Sequence, residues 1–284
     1  MRDPQLANLG GQQRKLSCLF SDLAGFTPLS QSLGPRETVK LLNRYFDCVT
    51  EVIQTRFGGY INKFLGDGIF ALFGAPVTQP DHARRAVLSA VEYILAIQKF
   101  NQEMVSAEVR VRIGITTGQA MVGNCGSTTR MDYTAIGDCI NLSSRLESAN
   151  KYFRTHILIE AETWKQSRLE HELLVRPLGL VQITGVAKPV WIIHVAGYLH
   201  QHADLVEPYA RFSRGIEVLY QKHYAEAVEI FQQVQNDLAG DFPASVFLAM
   251  ARKGTTVEDP SAQGAPSAEF SGGVVRIVPP WECP

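Results

Sequence analysis

The run GGYINKFLGDGIFALFG, residues 58–74, constrains this chain more than any other stretch. Two apolar segments flank Gly66-Asp67-Gly68, and Asp-Gly between apolar segments is a strong signal for a tight antiparallel hairpin. The fold must therefore contain a sheet built around that hairpin. Before it, KLSCLFS (Lys15–Ser21) reads as a strand ending at Asp22. A helix follows, with Val39, Leu42, Tyr45, Phe46, Val49, Val52 and Ile53 at three- and four-residue spacing and Pro35 just inside its start. After the hairpin, a second amphipathic helix is expected from about Asp81 to Met104, with Ala83, Ala86, Val87, Ala90, Ile94 and Ile97 on one face. VRVRIGITTGQAMVG then alternates as a strand, bends at its glycines and returns. The order βαββαβ is that of an α+β, ferredoxin-like sheet covered by helices.

The remainder extends this scheme. MDYTAIGDCINLSSRLESAN starts extended and turns helical near Cys139; THILIEAETWKQS is a strand and a short helix; LVQITGVAKPVWIIHVAGY is a closing hairpin. This organisation implies a lead-in over residues 1–14 and a principal domain over 15–200. Residues 204–253 read as a helical hairpin in which Gly215, Ala227 and Phe231 are spaced as in one tetratricopeptide unit. A single unit cannot bury its own face, so a helix pair packed on the principal domain is the competing reading. Residues 254–284 are dominated by Gly, Thr, Pro, Ser and Ala and are expected to be disordered.

Composition narrows the function classes. A formal net charge of −1 and the lack of a Lys/Arg-rich run argue against non-specific nucleic-acid binding. Cys18, Cys48, Cys125, Cys139 and Cys283 are odd in number and form no C-x-x-C pair, so neither a disulfide framework nor a zinc site is indicated, and a reducing, cytoplasmic setting is expected. The apolar stretch VWIIHVAGYL is about half the roughly 20 residues a bilayer span requires, and no secretory leader opens the chain, so no membrane contact is expected.

Asp22 precedes LAGFT and a helix, where backbone N–H groups and a helix N-terminus can receive phosphate oxygens. If its strand neighbours the hairpin, Asp67 lies beside it. Two adjacent carboxylates repel unless a divalent cation sits between them, and hard oxygen ligands suit Mg2+ or Mn2+. The alternative for Asp67 is a plain turn residue.

The strings FSDLAGFT, NKFLGDG, RIGITTG, VGNCGS and DYTAIGDCINLSSRLE, in that order over about Leu16–Val195, resemble the catalytic domain of class III nucleotidyl cyclases, in particular the bacterial adenylate cyclases that carry a threonine in the base site. The resemblance implies a palm-type βαββαβ core, with Asp22 and Asp67 holding two Mg2+ or Mn2+ ions. It implies that the backbone amides of Leu23, Ala24, Gly25, Phe26 and Thr27 cradle the β- and γ-phosphates; for Gly25 a simple turn role remains open. Base choice falls on Lys63, four residues before Asp67, and on Thr134. Ammonium and hydroxyl match adenine N1 and N6, whereas guanylate members typically carry Glu and Cys there. A solvated strand lysine is the bland reading of Lys63. Asn141 lies seven residues beyond Thr134 and Arg145 four further, on one helix face, where the family orients the ribose and stabilises charge on the α-phosphate. A surface ion pair of Arg145 with Glu147 or Asp138 is the alternative.

The expected activity is conversion of ATP to 3′,5′-cyclic AMP and pyrophosphate by a head-to-tail homodimer with two shared sites, attached to an upstream sensory domain. Guanylate cyclase and a nucleotide-binding module without turnover are the competing readings. Diguanylate cyclases share an echo of GGYINKFLGDG but lack the Asn141–Arg145 helix. One departure stands out: where many members have a late Lys-Gly, Thr184 precedes Gly185, and Lys188 is the nearby substitute.

Overall fold

The computed structural model describes residues 10–104, 108–127, 129–258 and 275–280. They divide into two compact units, Met1–Ser148 with Glu162–Arg168, and Ala149–Ala161 with Leu169–Pro284.

In the first unit β1 (Gly10–Leu23) is the central strand. It pairs antiparallel with β3 (Gly68–Phe73) on one side and β4 (Val111–Gly126) on the other. β2 (Tyr60–Leu65) lies outside β3, giving the order β2-β3-β1-β4, and β5 (Met131–Ile136) folds back on β4. With α1 (Phe26–Thr50) and α2 (His82–Glu103) between strands, this is the α+β, βαββαβ arrangement that the sequence order predicts. β1 begins before Lys15, because Gly10–Arg14 pair with Ala120–Asn124. Those polar residues carry no apolar alternation, so only the partner strand makes them extended.

Every residue of β3 is buried, as a strand with neighbours on both sides and helices above must be. α2 buries Ala83, Ala86, Val87, Ala90 and Ile97 of the expected face. α1 departs from expectation: Leu41, Tyr45 and Val49 are buried, but Val39 is 56% exposed. At about 100° per residue, Val39 lies roughly 200° from Leu41 and faces out. The helix is broken at Gly34 (φ 74, ψ 166) ahead of Pro35, and ends in a π-helical turn, Glu51–Arg56, that keeps Val52 and Ile53 inside. α3 (Asp138–Phe153) lies directly on β4, where a Cβ at Gly114 would stand 2.2 Å from the Ser143 carbonyl and 2.3 Å from the Glu147 nitrogen. Only glycine permits that approach. The short α4 (Ala161–Ser167) follows β6 in the chain.

In the second unit β6 (Ile157–Glu160), β7 (Leu173–Ile183), β8 (Val190–Tyr198) and β9 (Val275–Ile277) lie in the order β6-β8-β7-β9. Among the described residues three α-helices follow β8 rather than the expected two: α5 (Val206–Tyr220), α6 (Tyr224–Asp237) and α7 (Phe242–Glu258). Phe212, Phe231 and Phe247 form their common core, and Gly215 lets α5 and α6 close, since a Cβ there would meet the Phe231 ring at 2.9 Å. α5 packs on β7. Arg176 of β7, almost fully buried, donates to both carboxylate oxygens of Asp241 at 2.8 and 2.9 Å and lies against the rings of Tyr209 and Phe212.

β9 corrects the expectation that nothing past Gly254 is ordered. Its three residues pair with β7, and the Tyr220 hydroxyl receives the Leu180 N–H while donating to the Val278 carbonyl, both at 2.9 Å. Tertiary pairing holds a strand that local composition does not announce. Residues 259–274 and Cys283 lie outside the described residues; Cys18, Cys48, Cys125 and Cys139 form no disulfide with one another. Among the described residues no helix is long and apolar enough to cross a membrane.

Candidate active site

The β2–β3 hairpin closes with Leu65 opposite Gly68, so its loop is Gly66-Asp67, one residue earlier than the Asp-Gly signal suggests. Only Gly66 has positive φ (+67°), the pattern of a II′ turn, with glycine at the first loop position. The second glycine has another purpose: a Cβ on Gly68 would stand 2.6 Å from the Ser21 carbonyl oxygen of β1. That close approach sets the hairpin tip against the end of β1 and brings Asp67 beside Asp22.

Burial, and then the hydrogen bond and charge of Asp22, push Asp67 up to about 6, although the N–H groups of Asp67 and Leu23 favour its ionised form. Asp22 also accepts a hydrogen bond from Arg112, which stands opposite it on β4, at 2.9 Å. The Nε of Arg112 lies 3.1 Å from Oε1 of Glu147 on α3. Burial raises Glu147 to about 7; Arg112 offsets part of this, and the charges of Asp22 and Asp67 add to it. Two carboxyl groups, of Asp22 and Glu147, thus flank one guanidinium, and Asp67 stands beside the first of them. Sequence reasoning missed Arg112 and Glu147. Arg112 was findable, because antiparallel pairing of β1 with VRVRIGITTG brings an arginine opposite Asp22. Glu147 was weighed only as a partner for Arg145. Alongside the aspartates, Ser21, Tyr93 and Tyr45 form a chain of buried hydroxyls.

The amides expected to cradle phosphates over Leu23–Thr27 differ in their surroundings. The Ala24 amide donates to the Arg110 carbonyl at 2.7 Å, and the Leu23 N–H is among the groups that favour the ionised form of Asp67. Gly25 is left-handed (φ 74) at the N-cap of α1, with nothing within 4 Å of where its Cβ would be, so its conformation accounts for the glycine. Phe26 and Thr27 open the first turn, whose amides have no intrahelical acceptor. Thr184 and Lys188 belong to the second unit, Thr184 just past β7 and Lys188 just before β8.

The remaining candidates form a second group. Lys63 lies on β2 beyond a bulge at Asn62, and Thr134 lies on β5. The Asn62 amide nitrogen donates to the Tyr133 carbonyl at 2.5 Å, the Thr134 hydroxyl donates to Asn62 Oδ1 at 3.2 Å, and the Tyr60 and Tyr133 rings meet edge to face. These contacts tie β5 to β2. Asn141 and Arg145 are exposed on one face of α3. Among the described residues Arg145 has no ion-pair partner. Its proposed alternative, a pair with Glu147, does not form, because Glu147 faces Arg112. No hydrogen bond or ion pair among the described residues joins Lys63, Thr134, Asn141 or Arg145 to the aspartates. Exposed Phe64, Leu65, Met121 and Ile136, at 47–58% exposure, lie on the same strands as Lys63 and Thr134 or next to them on β4.

The aspartate pair fits a divalent cation. Two carboxyl groups in mutual hydrogen-bonding reach hold a proton that a hard cation replaces with gain. No cluster of three or more ligating side chains occurs among the described residues, so further oxygens must come from a substrate or water.

Residues 11–195 match the adenylate and guanylate cyclase catalytic domain family. Adenylate cyclase 1 of Rhizobium meliloti is 35% identical over 188 residues, covering 65% of this chain and 28% of that protein. The adenylate cyclase of Anabaena cylindrica is 35% identical over 153 residues, 51% of this chain and 29% of that protein. The chain therefore spans less than a third of the length of these relatives. Among solved structures, the guanylyl cyclase Cya2 is 41% identical (TM-score 0.60; 67% of this chain, 95% of that one). The adenylyl cyclase CyaB from P. aeruginosa is 35% identical (TM-score 0.58; 66% and 96%). A paired-aspartate hairpin on a βαββαβ sheet, matched across some two-thirds of the sequence, makes this chain a member of the adenylate and guanylate cyclase catalytic domain family.

Proposed function

We propose that the domain is an adenylate cyclase, turning ATP into 3′,5′-cyclic AMP and pyrophosphate at two sites, each shared between two copies of the chain. The observation that carries this is the separation of its chemistry. The aspartates are engaged with each other and Arg112, while Arg145 and Asn141 stand exposed and Lys63 has no ion-pair partner among the described residues. The apolar side chains exposed near Lys63 and Thr134 suit burial against a second copy. A head-to-tail pair brings the aspartates of one copy to the basic and amide groups of the other.

In the reaction the ribose 3′-oxygen attacks the α-phosphorus, the bond to the bridging oxygen breaks to release pyrophosphate, and the 3′-hydroxyl proton passes to solvent. Asp22 and Asp67 would hold two Mg2+ or Mn2+ ions, which when bound would supply the charge that acidifies the 3′-hydroxyl and neutralises the triphosphate. Phe26 and Thr27 amides meet the outer phosphates, while Arg112 holds Asp22 in place. Asn141 orients the ribose, and Arg145 stabilises negative charge developing on the α-phosphate, a donor role worth on the order of 3 kcal/mol. Lys63 donates to adenine N1, and Thr134 accepts from the N6 amino group. The same reading places the domain in the cytoplasm, as the output module of a longer protein with a sensory domain upstream.

The identity to the guanylyl cyclase Cya2 favours GTP as the second reading. Incubation with Mn2+ and equimolar ATP and GTP, followed by chromatography of the products, separates the two. Cyclic AMP in excess is expected. Predominant cyclic GMP selects the guanylate reading, and absence of both, with nucleotide still bound, makes this a binding module.

A further inference from the structure

Thr134 and Lys63 flank an asparagine whose role the base-site reading leaves unassigned. A threonine hydroxyl is an ambiguous reader of purines, because it both donates and accepts. It can accept from the adenine N6 amino group, and it can equally donate to guanine O6. Something must fix the direction of its proton if the residue is to discriminate.

We infer that Asn62 is the residue that sets this polarity, making Thr134 an acceptor and so selecting adenine; the inference rests on the assignment of Thr134 to the base site. The chain of reasoning starts at a group with no choice. The Tyr133 main-chain carbonyl can only accept, so the Asn62 group 2.5 Å from it is the NH2 end of the amide. The other end, Oδ1, then faces Thr134, whose Oγ1 lies 3.2 Å away. Oδ1 is also acceptor-only, so the hydroxyl proton of Thr134 points back at Asn62. Its lone pairs are left for the ligand.

Each link is built into the fold. Tyr133 and Thr134 are consecutive on β5, so the carbonyl and the hydroxyl that Asn62 reads are held at a fixed spacing. The bulge between Ile61 and Lys63 on β2 places the extra residue, Asn62, opposite that edge. Tyr60 and Tyr133, with ring centroids 5.7 Å apart, hold the two strands together. Asn62 touches Thr134 and no reacting atom, so it is a positioning residue for specificity.

The test compares Asn62→Ala, Asn62→Asp and Thr134→Val with the parent protein, reading the ratio of kcat/KM for ATP to that for GTP. Asn62→Ala frees the hydroxyl to donate, and the ratio should fall about tenfold, the worth of one hydrogen bond. Asn62→Asp keeps an acceptor toward Thr134 and should retain most of the ratio, even where overall activity drops. In the Thr134→Val background, Asn62→Ala should leave the ratio unchanged, because no hydroxyl remains to orient. A general structural defect lowers both activities together and leaves the ratio alone. An Asn62→Ala ratio equal to the parent's, in a parent that prefers ATP, overturns the role of Asn62 while leaving the base-site reading intact. A parent protein for which Thr134→Val itself does not move the ratio overturns the base-site reading instead.

Discussion

Replacing Gly68 by alanine tests whether the spacing of the two aspartates matters, with a displacement that the structure supplies. The added Cβ would stand 2.6 Å from the Ser21 carbonyl oxygen, whereas carbon–oxygen contacts settle near about 3.3 Å. The hairpin tip must therefore retreat by about 0.7 Å from β1, taking Asp67 away from Asp22. A misplacement on the order of 1 Å in a catalytic constellation costs about 100-fold in rate, so kcat/KM for MnATP should fall by at least 30-fold, roughly. Overpacking of this kind costs about 1–3 kcal/mol of stability, so the variant should still fold. Gly66→Ala is the control: its φ of +67° makes alanine strained, but nothing lies within 4 Å, so it should lose about 1 kcal/mol without pushing Asp67. Pyrophosphate release and urea unfolding on the same preparations separate the effects. Gly68→Ala with parental activity, or with losses no larger than those of Gly66→Ala at equal stability, would refute the argument that the close approach at Gly68 sets the metal site.

Three further outcomes follow from single residues. Arg145→Ala, exposed and unpaired among the described residues, should lower kcat by about 100- to 1000-fold while leaving the unfolding midpoint unchanged. Arg176→Ala strands Asp241 beside an emptied aromatic slot and should cost about 3 kcal/mol in urea titration; Arg176→Met, which refills that slot, should cost less than the alanine variant despite the lost ion pair. His194 gives a pH signature. Burial first, then the charges of Arg176, His156 and His202, hold it well below 6.5, and its Nδ1 accepts from Arg176 Nε. The unfolded chain binds this proton as pH falls through about 6.5 and the folded chain does not, so stability is full above that pH and lost below it. Stability should therefore fall as the pH is lowered from 7.5 to 5.5, and His194→Gln should flatten that slope.

The core order of elements was legible because each strand and helix of the first unit carries its own period. The hairpin Gly66–Gly68, the face of α2 and the start of α3 near Cys139 all announce themselves locally. What was not legible depends on partners distant in sequence. Gly10–Arg14 are extended only because β4 runs beside them, and β9 exists only because β7 and Tyr220 hold it. Val39 was placed inside because a three-residue step looks helical, yet the break at Gly34 and the buried set Leu41, Tyr45 and Val49 put it on the outer face. For the candidate site, the family resemblance singled out Asp22, Asp67, Lys63, Thr134, Asn141 and Arg145. It could not reveal that Ala24 spends its amide within the fold, or that Arg112 and Asn62 are the neighbours of Asp22 and Thr134.

That each site is built from two copies of the chain is tested most directly by mixing inactive proteins. Asp22→Ala and Arg145→Ala chains, each inactive alone, are combined under conditions of subunit exchange and assayed with MnATP. A two-fold pair with shared sites gives one intact site in each mixed dimer; with half the dimers mixed, about one quarter of parental activity returns. Activity no greater than the sum of the two separate variants, with exchange verified by labelled subunits, would contradict the account.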